Sequence, residues 1–145
     1  MGLALFSASS GISISHAANI EPAQRVEQKR TDLTGAPGME VIASVIEFKV
    51  GEEVALHRHH GVEVAYVVQG AQVQMAGKPA VTLATGSTTM NLRDVMHGGF
   101  TVIGDSSLKL FTVHIVDKHQ ALYDASPASS ASTSNGTHAN STSTK

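Results

Sequence analysis

From Val41 to Val116 the chain is a succession of short, β-branched-rich segments separated by glycine or proline, and this texture restricts the fold more than any other feature. Val41–Phe48, Val62–Gln69, Val73–Met75, Ala80–Leu83 and Leu108–Val116 are the segments with strand character. Apolar spacing at i, i+3, i+4 is not sustained over a helix length, and only Glu21–Arg30 is expected to make a helical turn or two. Ala76-Gly77-Lys78-Pro79, between two strand segments, reads as a hairpin loop. Strands this short, recurring about every eight to twelve residues, predict an all-β fold, an antiparallel sandwich or barrel.

Both ends differ from this body. Residues 1–18 are mildly apolar and finish in Ser15-His16-Ala17, a small-x-small pattern that predicts a cleaved signal peptide. A periplasmic or secreted protein follows from that reading, and a cytoplasmic one if the leader is not used. The apolar run is well short of the ~20 residues that span a bilayer, so no membrane anchor is expected. Residues 125–145 contain eleven Ser or Thr among twenty-one and no large apolar side chain, which predicts a disordered tail. Asn135-Gly136-Thr137 and Asn140-Ser141-Thr142 within it satisfy the N-glycosylation pattern. A single domain over residues 19–124 remains, in keeping with a length of 145 residues.

Composition removes whole classes of function. A formal charge of −2 provides no cationic field, so neither nucleic acid nor a membrane surface is an expected partner. The absence of cysteine excludes disulfides, thiolate metal sites and a cysteine nucleophile. Eight histidines are the compositional excess, and they direct attention to one segment.

That segment is Gly51-Glu52-Glu53-Val54-Ala55-Leu56-His57-Arg58-His59-His60-Gly61-Val62-Glu63, continued to Gly70. In extended backbone, side chains at i and i+2 share a face, so His57 and His59 project together and His60 lies opposite. Gly61 permits a turn, after which Glu63 on the following strand can bring a carboxylate to the same point. Two nitrogens and one oxygen suit a divalent first-row metal.

The segment resembles the first motif of the cupin superfamily, G-x5-H-x-H-x3-E-x6-G, at every fixed position. At this chain's own residue frequencies the expected chance count is on the order of 10⁻⁴. The resemblance implies a double-stranded β-helix, or jelly-roll, barrel. It also implies that a second motif supplies a further metal ligand, and Gly86 to His97 has the glycine and the histidine in place. Asn91, Arg93 and Thr101 stand where the family has Pro, Gly and Asn. The implied ligand set is His57, His59, Glu63 and His97, for Fe, Mn, Ni, Cu or Zn. It leaves about two open positions on an octahedral ion.

Such a centre admits dioxygen activation, Lewis-acid polarisation for isomerase or lyase chemistry, or generation of a metal hydroxide on a small oxygenated substrate. It equally admits non-enzymatic capture or sensing of a small molecule, with the metal as a staple. His114, Tyr66 and Arg93 are the candidate catalytic residues beside the metal, with Gln72 a further candidate for orienting a ligand at the barrel mouth. His114 shares a strand face with Leu110, Thr112 and Val116, and a satisfied core histidine is the expectation for it. His60 is expected to be a surface neighbour. The resemblance further implies a homodimer, with Val41–Phe48 as the edge strand that pairs.

Overall fold

In the computed structural model, residues 20–125 are described, so the expected leader and nearly all of the expected tail lie outside the described residues. Nine strands follow one another: β1 (Val26–Asp32), β2 (Met39–Phe48), β3 (Glu53–Val54), β4 (Gly61–Gln69), β5 (Ala71–Met75), β6 (Val81–Leu83), β7 (Thr88–Asn91), β8 (Phe100–Ile103) and β9 (Leu108–Asp117). They form a five-stranded sheet ordered β1-β2-β9-β4-β7 and a four-stranded sheet ordered β3-β8-β5-β6. All strand pairings are antiparallel.

Alternation explains which faces turn inward. Along β2, Ile42, Ser44, Ile46 and Phe48 are buried, and along β4 Gly61, Glu63, Ala65 and Val67 are, with half-buried or exposed residues between them. On β9 the buried set is Leu108, Thr112, His114 and Val116. Register aligns these sets: Ile42 faces His114 and Ser44 faces Thr112 across β2 and β9, while Glu63 faces His114 across β4 and β9. The hairpin between β5 and β6 turns at Gly77, whose φ of 68° lies in the left-handed region that glycine enters without steric cost.

The interior is layered. Ile46, Phe48, Val54, Val67, Ala71, Val73, Val102 and Leu108 form one apolar cluster, and Ile42, Val116, Leu122 and Tyr123 form another. Ser44, His57, His59, Glu63, Thr112 and His114 are buried as well, a polar set borne by the same strands and the loop beside them. Burying so many polar groups is unfavourable unless partners satisfy them, which makes this set the place to look for chemistry.

The structure corrects two expectations. Residues Glu21–Arg30 make no helix; Val26–Asp32 is β1, exposed along its whole length and therefore without an apolar period to read. It is held by pairing with β2, by Arg30 on Glu40 at 2.6 Å and by Arg25, which donates to Ser44 Oγ at 2.5 Å. Consequently Val41–Phe48 is not an edge strand, since β2 is covered by β1 on one side and β9 on the other. On that side of the sheet the edge is β1, whose Glu27, Lys29 and Arg30 discourage further strand pairing.

Candidate metal centre

The histidine segment is gripped from two directions by backbone. His57 and His97 exchange both main-chain hydrogen bonds, 2.9 and 2.8 Å, which sets the second motif's histidine directly opposite the first motif's. Arg58 and Asp124 do the same, at 2.9 and 3.0 Å, on the other side. Asp94 N–H donates to the His59 carbonyl at 3.0 Å, tying down the loop that leads to His97.

Each of the three imidazoles then directs one nitrogen at a carbonyl. His57 Nδ1 lies 2.6 Å from Ala55 O, His97 Nδ1 3.0 Å from Val95 O, and His59 Nδ1 contacts Leu122 O. A carbonyl only accepts, so in each ring the proton resides on Nδ1 and the Nε2 lone pair is free. The rings lie close, with centroids 4.9 Å apart for His57 and His59, 4.3 Å for His57 and His97, and 4.9 Å for His59 and His97. One donor atom from each of these three falls within 4.8 Å of the others. This is the arrangement by which outer hydrogen bonds orient metal-binding histidines.

Glu63 stands at the centre. Its Oε2 is 3.4 Å from His59 Nε2 and 3.3 Å from His97 Nε2, and its Oε1 is 3.3 Å from His114 Nε2. Asn91 Nδ2, across from it on β7, donates to Oε2 at 2.6 Å and fixes the carboxylate's orientation. Burial by itself disfavours a charge on the Glu63 carboxyl, and the hydrogen bond it accepts from Asn91 favours one. Burial likewise pushes His57 down to about 4 and His114 down, so both are neutral at ordinary pH, the form that binds a metal.

His59 Nε2, His97 Nε2 and both ring nitrogens of His114 are buried and make no hydrogen bond of acceptable geometry. Buried polar atoms of this kind rarely go unmatched. A divalent transition metal fits the donor set, because it would take up the orphaned lone pairs and neutralise the carboxylate.

The other candidates fall in different places. His114 is wholly buried and belongs to a second group of donors, His59, Glu63 and His114, within 4.8 Å of one another. It is therefore not the satisfied core histidine expected from its strand face. Tyr66 is exposed on the opposite face of β4 from Glu63, because odd positions of that strand turn inward and even ones outward. Arg93 is exposed and held by Asp117 through two hydrogen bonds, 2.7 and 2.9 Å. Neither residue is brought to the cluster. Gln72 is exposed on β5 of the other sheet. His60 turns away to Asp94 and Asp124, at 2.9 and 3.2 Å.

Tyr123 and Asn91 are not legible in the sequence as site residues. Tyr123 packs its ring 4.8 Å from His57 and 4.9 Å from His59, and burial, reinforced by the Glu63 charge, raises its phenol pKa. Only the contact between the chain's last described residues and the histidine segment places it there. Asn91 carries a faint signal, since a strand residue near His97 with an amide is a natural carboxylate donor.

No family model matches this sequence, and none of the curated proteins matches it. Solved structures do. A protein with a double-stranded β-helix domain from Klebsiella pneumoniae superposes with a TM-score of 0.52 at 14% identity, covering 74% of this chain and 92% of that one. The fold is a double-stranded β-helix. A cupin superfamily protein from Desulfitobacterium hafniense gives a TM-score of 0.41 at 17% identity, over 67% of this chain and 82% of that one. The DMSP lyase DddQ from Ruegeria pomeroyi gives 0.44 at 21% identity over 56% of this chain, and the match spans 41% of the lyase chain. At these identities the likeness is one of fold, and function has to be argued from the site.

The His57 shift carries a testable consequence for the metal-free protein. With a folded pKa of about 4 against an ordinary 6.5, the unfolded chain takes up a proton that the folded one refuses. Stability should be unaffected above about pH 6.5 and should fall as pH drops from there to about 4. Melting temperatures of the chelated protein across that window check it, and His57→Gln should flatten the slope. A wild-type profile without slope between pH 6.5 and 4 would contradict a buried neutral imidazole.

Proposed function

We propose that this chain binds one divalent transition metal through His57, His59, Glu63 and His97 and uses it on a small oxygenated molecule. The observation that carries the reading is that His57, His59 and His97 commit their Nδ1 atoms to carbonyls and bring one donor atom each within 4.8 Å of one another, with the buried Glu63 carboxylate 3.4 Å from His59 and 3.3 Å from His97. A bound metal would supply Lewis acidity toward an oxygen of the ligand or a site for dioxygen. The protein's residues do the rest: Asn91 orients Glu63, backbone carbonyls orient the histidines, and the buried Tyr123 ring packs against His57 and His59. Iron, manganese, nickel, copper and zinc are all compatible with a nitrogen and oxygen donor set.

Elemental analysis of protein purified without added metal or chelator, beside His57→Ala and His97→Ala, tests this. Near-stoichiometric metal in the wild type is expected, with each variant losing at least about tenfold in affinity. Wild-type protein that retains no metal and takes none up from a divalent series would sink the proposal.

A specific observation favours non-enzymatic capture as a second reading. Apart from Glu63 and His97, the polar side chains lining the cavity beside the cluster are Thr89 and Asn91, and neither titrates near neutral pH. Dioxygenase, isomerase or lyase activity with the metal-loaded protein would decide for an enzyme; tight binding without turnover across such a panel would decide for a binder.

We further propose export directed by residues 1–18, and a homodimer. With β2 inside its sheet, the support for pairing moves to the outer face of that sheet. There Val64, Tyr66, Val68, Met90 and Phe111 are exposed, Val64 beside Met90 and Tyr66 beside Phe111. An apolar face of this kind is a typical contact surface. Light scattering should give twice the chain mass, and Tyr66→Glu with Phe111→Glu should return it to one; a wild-type monomer at tens of micromolar would refute the dimer.

A further inference from the structure

Resting on the metal reading above, a cavity fixes what kind of molecule the centre would take. It measures about 260 Å³ and is lined by Val54, Ala65, Val67, Met75, Leu83, Phe100 and Leu110 on its apolar walls. Its polar atoms come from Glu63, His97, Asn91 and Thr89. His57 and His59 do not line it, so the cluster meets the cavity only through Glu63 and His97.

The asymmetry is chemical. Glu63, His97 and Asn91 belong to or touch the donor cluster, whereas Val67, Phe100, Leu110 and Leu83 belong to or pack on the larger apolar core cluster. A ligand entering here meets donors and a metal at one end and hydrocarbon along the rest. A sugar or a dicarboxylate would bury hydroxyls or a second charge against those walls without partners, at a cost of several kcal/mol per group on transfer scales. Volume sets the upper size. A cavity of 150 Å³ holds a benzene ring, which scales to roughly ten non-hydrogen atoms here.

We propose that the site takes a short amphiphile with a single oxygen-bearing head, such as a carboxylate or a 1,2-dioxygenated group, and an apolar tail of about four to seven carbons. The head would sit at the cavity's polar end, beside Glu63 and His97, and the tail would lie between Val67, Leu83, Phe100 and Leu110. Thr89 and Asn91 flank the head, and Asn91 keeps its donor on Glu63.

Calorimetry with straight-chain carboxylates from acetate to decanoate, on metal-loaded protein whose metal content is measured in every sample, tests the idea. Affinity should rise about threefold to fourfold with each CH₂ up to hexanoate or heptanoate and then stop rising. Leu110→Ala, which lengthens the cavity, should move that limit to longer chains without changing metal content. Ala65→Phe should abolish hexanoate binding and keep acetate; if this variant does not fold, the Leu110→Ala shift alone decides. Acetate and hexanoate binding equally well to metal-loaded protein, or a chain-length limit that Leu110→Ala leaves in place, would overturn the proposal with the metal centre intact. Protein that holds no metal overturns both, and the metal analysis separates the two failures.

Discussion

Gly61→Ala should destabilise the protein by at least about 3 kcal/mol, lowering its melting temperature by at least about 12 °C. Gly61 opens β4 opposite Val116 of the neighbouring β9. A Cβ built there would stand 2.0 Å from Ile115 O and 2.6 Å from Val116 Cα, both main-chain atoms. No rotamer change relieves a clash with backbone, so β4 and β9 must separate. Glu63, two residues on, would move with β4 away from His114, its partner across β9. Scanning calorimetry of the variant, with metal content measured alongside, checks both effects. A melting temperature within about 3 °C of wild type would mean that the two strands do not approach this closely.

Asp124→Ala should be nearly as damaging, for an electrostatic reason. Arg58 donates to Asp124 Oδ2 through Nε and Nη2 at 3.1 and 3.0 Å, and both residues are buried. Removing the carboxylate leaves a buried guanidinium without its counter-charge, a loss of about 3–5 kcal/mol. The damage should extend to the metal centre, since Leu122 O, two residues away, receives the His59 Nδ1 proton. Weaker metal retention is therefore expected even at temperatures where the variant is folded. The double substitution Arg58→Met with Asp124→Leu removes both charges and should recover most of the stability. Recovery failing while the single variant is mild would show that the Arg58–Asp124 pair does not hold the two segments together.

Much of this arrangement is legible in the sequence. The strands β2, β4, β5, β6 and β9 announce themselves through β-branched runs and Gly or Pro punctuation, each within a few residues of its observed limits. β1, β3, β7 and β8 do not, for different reasons. β1 is exposed throughout and β7 nearly so, so neither carries an apolar alternation; β3 is two residues long and β8 four. The expectation of a helical turn over Glu21–Arg30 follows from the same lack of period, and with β1 unread, β2 is left looking like an edge.

At the site, spacing alone places His57, His59 and Glu63, because two-residue and four-residue separations act within one strand and its neighbour. Tyr123 and Asp124 reach the histidines from more than sixty residues away, at separations of 63 and 66 for the Leu122 and Asp124 contacts, and no local pattern encodes that. Tyr66 fails as a candidate by parity: it sits three residues after Glu63 on the same strand and so points the other way.

The late arrival of those last residues also sets a schedule. The carbonyl that orients His59 belongs to Leu122, 63 positions further along the chain. At about 5–20 residues per second of synthesis, roughly 3–13 s pass between the appearance of the two. During that interval the histidines are without the hydrogen bond that selects the Nε2 donor of His59. The donor set proposed for the metal is thus a property of the finished chain, and a metal bound there would be one met after Leu122 has docked on His59.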